Sequence, residues 1–204
     1  AEARLGAVNV TLGGSPRVMP GKVEYAIRAG DSIKVLARRH GCHATFMAKP
    51  YADEPGTGMH WHVSLVDADG RNVFSDGAGG EHASLGHFVA GWQASVQAAT
   101  ALFAPYAHSF ERLRRPDAAP ASAHWGHDDR TVAFRVPRSD ADNRRLEHRL
   151  PGGDANPYLI LAMMLGAGRI GLRDRLVALP PRAPGSTPPD DGAPLPTDQE
   201  AAIT

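Results

Sequence analysis

An α+β fold is predicted from three features of this 204-residue chain. Apolar residues alternate with period two at 59–65, 131–137 and 145–150, which reads as strands. A period of three to four runs through 82–104, and a nearly continuous apolar helix starts after Asp154. These segments are interleaved without the strand–helix–strand rhythm of parallel α/β proteins. The expected architecture is an antiparallel sheet lining a site, with helices packed outside.

In chain order, Val8 to Leu12 alternates like a strand, and Pro20-Gly21 is a turn before a possible strand carrying Glu24. Asp31 is a candidate helix N-cap, with Gly41 as the stop after a basic last turn. His43 to Ala48 reads as a strand ending at Lys49-Pro50. A Gly-rich turn, Pro55-Gly56-Thr57-Gly58, then feeds a strand holding His60 and His62. Side chains two apart on a strand share a face, so His60, His62 and Ser64 stand together while Met59, Trp61, Val63 and Leu65 face the core. Asp67 to Gly70 signals a hairpin, with the return beginning at 72–74. In the helix over 82–104, Phe88, Trp92, Val96, Ala99 and Phe103 form one buried face, and Pro105 closes it. On the strand at 145–150, Arg145, Glu147 and Arg149 share one face; Leu146, His148 and Leu150 take the other. Asp154-Ala155-Asn156-Pro157 starts a helix, with Asp or Asn as cap and Pro in the first turn; being apolar nearly all round, that helix is expected to be buried. Residues 179–204, with seven prolines between Pro180 and Pro196, read as an extended tail. The expected domain organisation is a poorly matched edge at 1–20, a partial catalytic domain at 21–178 and that tail.

The composition narrows function by exclusion. With 42% hydrophobic residues and 22 basic against 22 acidic side chains, one sizeable core is expected, and no net field draws nucleic acid or an anionic membrane. One cysteine, Cys42, cannot make an internal disulfide. The absence of a signal peptide and of a long apolar run suggests a soluble, cytoplasmic protein. The first residue is not Met, and a fragment is expected.

Chemistry concentrates on His60, His62, Glu147 and Arg149, beside an arginine-rich stretch holding Arg112, Arg114, Arg115, Arg130, Arg135 and Arg138. An imidazole and a carboxylate can share a divalent cation, and arginines clamp phosphoryl or carboxylate oxygens bidentately. Metal plus arginines is equipment for phosphoryl transfer, where the protein positions groups and neutralises charge. No GxxxxGK[ST] stretch occurs, so nucleotide would be held on the sheet. The alternative is that Glu147 and Arg149 form a surface ion pair on an exposed strand.

Several blocks resemble the glutamine synthetase family. They are Thr45-Phe46-Met47-Ala48-Lys49-Pro50, Gly56 to Leu65, Ser122 to Thr131, Arg135-Val136-Pro137, and Leu146-Glu147-His148-Arg149 running into Asp154 to Tyr158. They occur in the family's order and cover about residues 20–195; the wording near Trp125-Gly126-His127-Asp128 is closest to the γ-glutamylpolyamine branch. The resemblance implies a two-step ligase in which ATP activates glutamate as γ-glutamyl phosphate and an amine displaces the phosphate. It implies His60 and Glu147 as ligands of one Mg²⁺ or Mn²⁺ ion and Glu24 at a second. It further implies His62 and Ser64 as nucleotide contacts, and Arg130 and Arg135 as catalytic arginines on the transferring phosphoryl group, in contact with ATP. Gly56, Arg112 and Arg149 are implied at glutamate, and the full-length partner arrangement is a homo-oligomeric ring.

Departures from the family pattern bear on the amine. Pro55 stands where ammonia-using members carry Asn, Lys22 replaces a usual Gln, and Ala118 occupies a usual Glu. Losing that carboxylate favours a bulkier amine, such as a polyamine, over ammonia. Because a small N-terminal domain and the first carboxylate ligands are missing, the isolated chain is expected to be inactive or nearly so. Two readings from other classes compete: a Zn²⁺ metallohydrolase using His60 and His62, and a non-catalytic relative that kept the fold.

Overall fold

The computed structural model describes residues 32–114, 120, 122–183 and 194–203, together with the backbone of 7–12. Five strands form one sheet: β1 (Ala7–Leu12), β2 (Trp61–Val66), β3 (Trp125–His127), β4 (Phe134–Val136) and β5 (Leu146–His148), in the order β1-β2-β5-β4-β3. Pairing is antiparallel from β1 through β4, while β3 runs parallel to β4. The sheet is thus mixed at one edge rather than antiparallel throughout. Among the described residues four helices accompany it: α1 (32–39), α2 (Ala83–Phe103), α3 (Ala107–Leu113) and α4 (Pro157–Asp174). The α+β class holds.

Register explains how the sheet separates core from chemistry. Trp61 pairs with His148, His148 with Phe134, and Phe134 with Trp125. One residue along, His62 pairs with Glu147, and Glu147 with Arg135. The first row packs into the core and the second faces outward, because successive side chains point to opposite faces. On β2 the alternation is complete: Trp61, Val63 and Leu65 are buried while His62, Ser64 and Val66 are half-buried.

Helix α2 buries the predicted Phe88, Trp92, Val96, Ala99 and Phe103. Its N-cap His82 accepts a hydrogen bond from the Ser84 amide. The aromatic rings form a chain of edge and tilted contacts, Phe74–Phe88–Trp92–Phe134, spaced 5.2–5.4 Å, the geometry that ring quadrupoles favour. Helix α1 closes as expected: Gly41 takes φ +67, and the Cys42 and Gly41 amides donate to Ala37 O and Arg38 O, the pattern of a left-handed C-terminal cap.

Three expectations change. Residues 43–48 form no strand, because side chains take the backbone groups a ladder would need: Thr45 Oγ1 accepts from Met47 N and the Asp154 carboxylate from Ala48 N. The hairpin return at 72–74 shrinks to one bridge, Val66 to Asn72, since the Asn72 side chain caps Phe74 N and reaches the carbonyls of Asp142 and Arg144. Helix α4 is buried on one face only, through Ile160, Met164, Ala167, Gly168 and Gly171, and leaves Tyr158, Leu159 and Ile170 exposed. The described parts of 179–204 lie on the domain. Leu179 O accepts from Trp125 Nε1, Arg182 pairs beside Gly126, and Leu195 and Ala202 are buried. Glu24 and the possible strand around it, Asp31, and Ala118 fall outside the described residues.

Helices α2 and α4 touch through glycine. A Cβ on Gly91 would lie 2.1 Å from Ala167 O, and one on Gly171 2.1 Å from His87 O. Gly166, on the outer side of α4, has nothing near a Cβ. Gly91→Ala is therefore expected to destabilise by about 1–3 kcal/mol through overpacking. Gly166→Ala should stabilise by about 0.4–1 kcal/mol, by stiffening the unfolded chain. Urea unfolding of both variants checks the opposite signs.

Candidate functional site

Glu147 sits at the centre of the outward face. Its side chain is 5% exposed, so a surface ion pair is excluded. Arg135 Nη1 donates to Oε2 at 2.9 Å and Arg149 Nη1 to Oε1 at 2.9 Å. His60 Nδ1 lies 3.3 Å and His62 Nε2 3.7 Å from Oε1. Burial alone would raise this carboxyl; hydrogen bonds from His60 and Arg135, with the charges of Arg149 and His62, hold it well below the usual carboxylate range. His62 is pushed down to about 4, chiefly by burial and, despite Glu147, helped by the charges of Arg145, His60 and Arg135. Both imidazoles thus face a carboxylate that stays ionised.

The Gly-rich turn brings a second wall against this cluster. A Cβ on Gly58 would lie 2.7 Å from Arg112 Nη2 and 2.8 Å from His60 Nε2; one on Gly56 would lie 2.6 Å from Ala48 O and 3.1 Å from Arg112 Cγ. Close approach of backbone demands glycine at position 56, while a Cβ at position 58 would push aside the ends of the Arg112 and His60 side chains. Arg112, 4% exposed, donates to the carbonyls of Leu150 and Arg149 at 2.7 and 3.1 Å. Its guanidinium is lowered to about 10 by burial and by the charge of Arg149, against Asp154.

The fold therefore assembles His60, His62, Glu147, Arg135 and Arg149, with Gly56 and Arg112 adjoining. Ser64 follows His62 on the same face of β2, half-buried. Arg130 is exposed in the turn before β4, with no side-chain hydrogen bond or ion pair among the described residues. Three polar residues belong to the arrangement that the sequence did not mark as site residues. Asp128, at φ +50, takes the Arg138 amide at 2.8 Å and Arg135 Nη2 at 3.3 Å. Arg145 Nε reaches His62 Nδ1 at 3.4 Å; its place on the Glu147 face was readable from period two. Asp154 accepts from the Ala48 amide and the Ser109 hydroxyl. It does not cap α4: Asn156 does, accepting from the Tyr158 and Leu159 amides.

For a cation, the described residues offer a partial fit. No three His, Cys, Asp or Glu side chains among them are arranged to hold a metal ion. Yet the 3.3 Å between His60 Nδ1 and Glu147 Oε1 is near the about 3 Å between adjacent ligands at bond lengths of ~2.1 Å.

The family model described as "Glutamine synthetase, catalytic domain" matches residues 23–202. The chain belongs to the glutamine synthetase family. It is 36% identical to γ-glutamylputrescine synthetase of Escherichia coli, over all of this chain and 43% of that protein. It is 39% identical to γ-glutamylethanolamide synthetase of Streptomyces coelicolor, over 90% of this chain and 42% of that protein. A glutamate–isopropylamine ligase of a Pseudomonas species is 37% identical over 76% of this chain and 36% of its own length. Among solved structures, ligand-free GmaS superimposes with a TM-score of 0.75 at 33% identity, covering 88% of this chain and 42% of that one. The chain thus spans less than half the length of these relatives. Among its described residues, no helix is long and apolar enough to cross a membrane.

The buried titratable groups of this glutamine synthetase family member set an acid limit on stability. Burial holds His148 at about 3 and His62 at about 4, whereas the unperturbed value for each is 6.5. Below pH 6.5 the unfolded chain takes up protons that the folded chain refuses, so folding stability is full above that pH and falls as pH drops toward 4. Glu147 continues the loss below the ordinary carboxylate range, because its folded value is depressed. Urea unfolding of metal-free protein is expected to show a midpoint falling from pH 7.5 to pH 5. His148→Phe, replacing a buried ring whose nitrogens lack partners, should flatten that slope by about one proton. A midpoint constant across this range contradicts the assignment.

Proposed function

We propose that this domain serves an ATP-dependent ligase that joins the γ-carboxyl of glutamate to an amine, with a polyamine such as putrescine preferred to ammonia. The observation that carries this reading is the convergence of His60, Glu147, Arg135 and Arg149 beside the glycines that bring Arg112 close. In the first step a glutamate carboxylate oxygen attacks the terminal phosphorus of ATP and ADP leaves. In the second the amine nitrogen attacks the acyl carbon, phosphate leaves, and the nitrogen loses a proton.

The chain's residues divide between these tasks. Arg135 faces the Glu147 row and would absorb charge on the transferring phosphoryl group, with Arg130 swinging in from its exposed turn. His62 and Ser64 would border the nucleotide. Gly56, Arg112 and Arg149 would hold glutamate, the glycine by admitting it close to backbone and the arginines by charge-assisted hydrogen bonds. His60 and Glu147 would hold a Mg²⁺ or Mn²⁺ ion, and Glu24 would ligate a second. When bound, such ions neutralise phosphate charge. The amine-specific names of similar proteins support an acceptor larger than ammonia, as do Pro55 and Ala118. A ring-shaped homo-oligomer in the cytoplasm remains the proposed setting.

The test follows Mn²⁺ and turnover together. Wild-type chain is expected to deplete the spectroscopic signal of free Mn²⁺, and His60→Ala to weaken that binding at least about tenfold, the loss expected on removing a ligand. His60 is one-third exposed, so its truncation should leave the fold intact. Glutamate-dependent ADP release should be slight for the 204-residue chain alone and, once the chain is joined to a family N-terminal domain, faster with putrescine than with ammonia. Mn²⁺ binding indifferent to His60→Ala, or tight stoichiometric Zn²⁺ in its place, refutes the reading.

A further inference from the structure

We propose that Asp154 is the positioning residue of the glutamate pocket: one buried carboxylate fixes the segment carrying Gly56 and the helix carrying Arg112 relative to each other. The inference rests on the reading that these two residues hold glutamate.

The Asp154 side chain is 9% exposed. Its Oδ2 accepts from the Ala48 amide at 3.2 Å and from Ser109 Oγ at 2.8 Å, and lies 3.1 Å from His108 Nε2. Each tie leads to a wall of the pocket. The Ala48 carbonyl accepts from Thr57 N at 2.8 Å, and the Thr57 carbonyl from Gly153 N at 3.0 Å. The loop 48–57 is thereby closed on itself and bound at both ends to the turn that bears Asp154. Gly56 lies within this loop, against Ala48 O.

The other wall is α3, seven residues long, too short to hold an orientation by its own hydrogen bonds. Ser109, in its first turn, accepts from the Tyr106 amide at 3.3 Å and donates to Asp154. Arg112 follows one turn later, so a bond at Ser109 sets where its stem leaves the helix. That stem runs against Gly56, where an added Cβ would lie 3.1 Å from Arg112 Cγ. The Asp154 charge also reaches the Arg112 guanidinium, where it favours the protonated form. Because Asn156 caps α4, Asp154 is left for this duty.

A staple that merely supports folding and one that positions a pocket differ in what they move. Calorimetry on the 204-residue chain would measure affinity for glutamate and for ADP in wild type, Asp154→Ala, Asp154→Asn and Ser109→Ala. Asp154→Ala should weaken glutamate by about tenfold, as loss of one or two hydrogen bonds implies. ADP affinity should stay within about twofold, since distant sites are independent. Asp154→Asn keeps an oxygen for Ala48 and Ser109 and should recover most of the affinity. Ser109→Ala removes one bond; it should weaken glutamate less and supplies the measurement if Asp154→Ala does not fold. Unchanged glutamate affinity in the folded variants, or parallel loss of ADP, overturns the positioning role alone. Wild type that binds ADP but no glutamate overturns the glutamate reading itself, and this inference with it.

Discussion

A carboxylate buried in a sheet must be matched by positive charge, and Glu147 is matched from every side. An ion moved from water into protein loses several kcal/mol of solvation even after relaxation, so Glu147 is stable at 5% exposure only with its partners. Arg135 and Arg149 take one oxygen each, and the imidazoles of His60 and His62 close the remaining space. The dependence is mutual. Without the carboxylate, half-buried Arg135 and buried Arg149 would face each other with like charge. The site is therefore set by charge compensation before any substrate arrives, which is the preorganisation that electrostatic catalysis requires.

Strand register delivers this arrangement. Pairing of His62 with Glu147 and of Glu147 with Arg135 draws three polar residues from distant parts of the chain into one row. The adjacent row, Trp61, His148 and Phe134, lies under it in the aromatic core, with His148 packed on Trp92, Phe103 and Phe134. A slip of one residue in β5 would exchange Glu147 for His148, placing an anion among aromatic rings. Core and site thus enforce the same register, and the burial of His148 is one consequence of placing Glu147 correctly.

Much of this was legible because period two is a local signal. The faces of β2 and β5, the buried stripe of α2 and the Gly41 stop could all be read from neighbouring residues. What escaped depends on partners far along the chain. Residues 43–48 have the composition of a strand, but Asp154, 106 residues beyond Ala48, takes a backbone donor that a ladder would use. Trp125 to His127 is only three residues, too short for alternation to register, and becomes a strand through its parallel neighbour. The apolar outer face of α4 carried no mark separating buried from exposed positions. Asp154 itself looked like a helix cap, since Asp and Asn cap equally well and only geometry gives that duty to Asn156.

The charge of the assembled face bears on which substrate it handles. Arg135 and Arg149 bond the Glu147 carboxylate, Arg112 adjoins them on backbone carbonyls, and Asp128 is bonded to Arg135 at the margin. Leaving the histidines aside, the face keeps an excess of positive charge. That excess suits a dicarboxylic amino acid and a polyphosphate, and it repels a cationic amine. On the proposed reaction, then, an amine has to be received by acidic or aromatic groups outside this cluster and delivered as the free base. Substitutions within the cluster should alter activation of the acid, whereas the choice among amines follows from side chains beyond it. This division fits the names of similar proteins, which record putrescine, ethanolamine or isopropylamine as the amine joined.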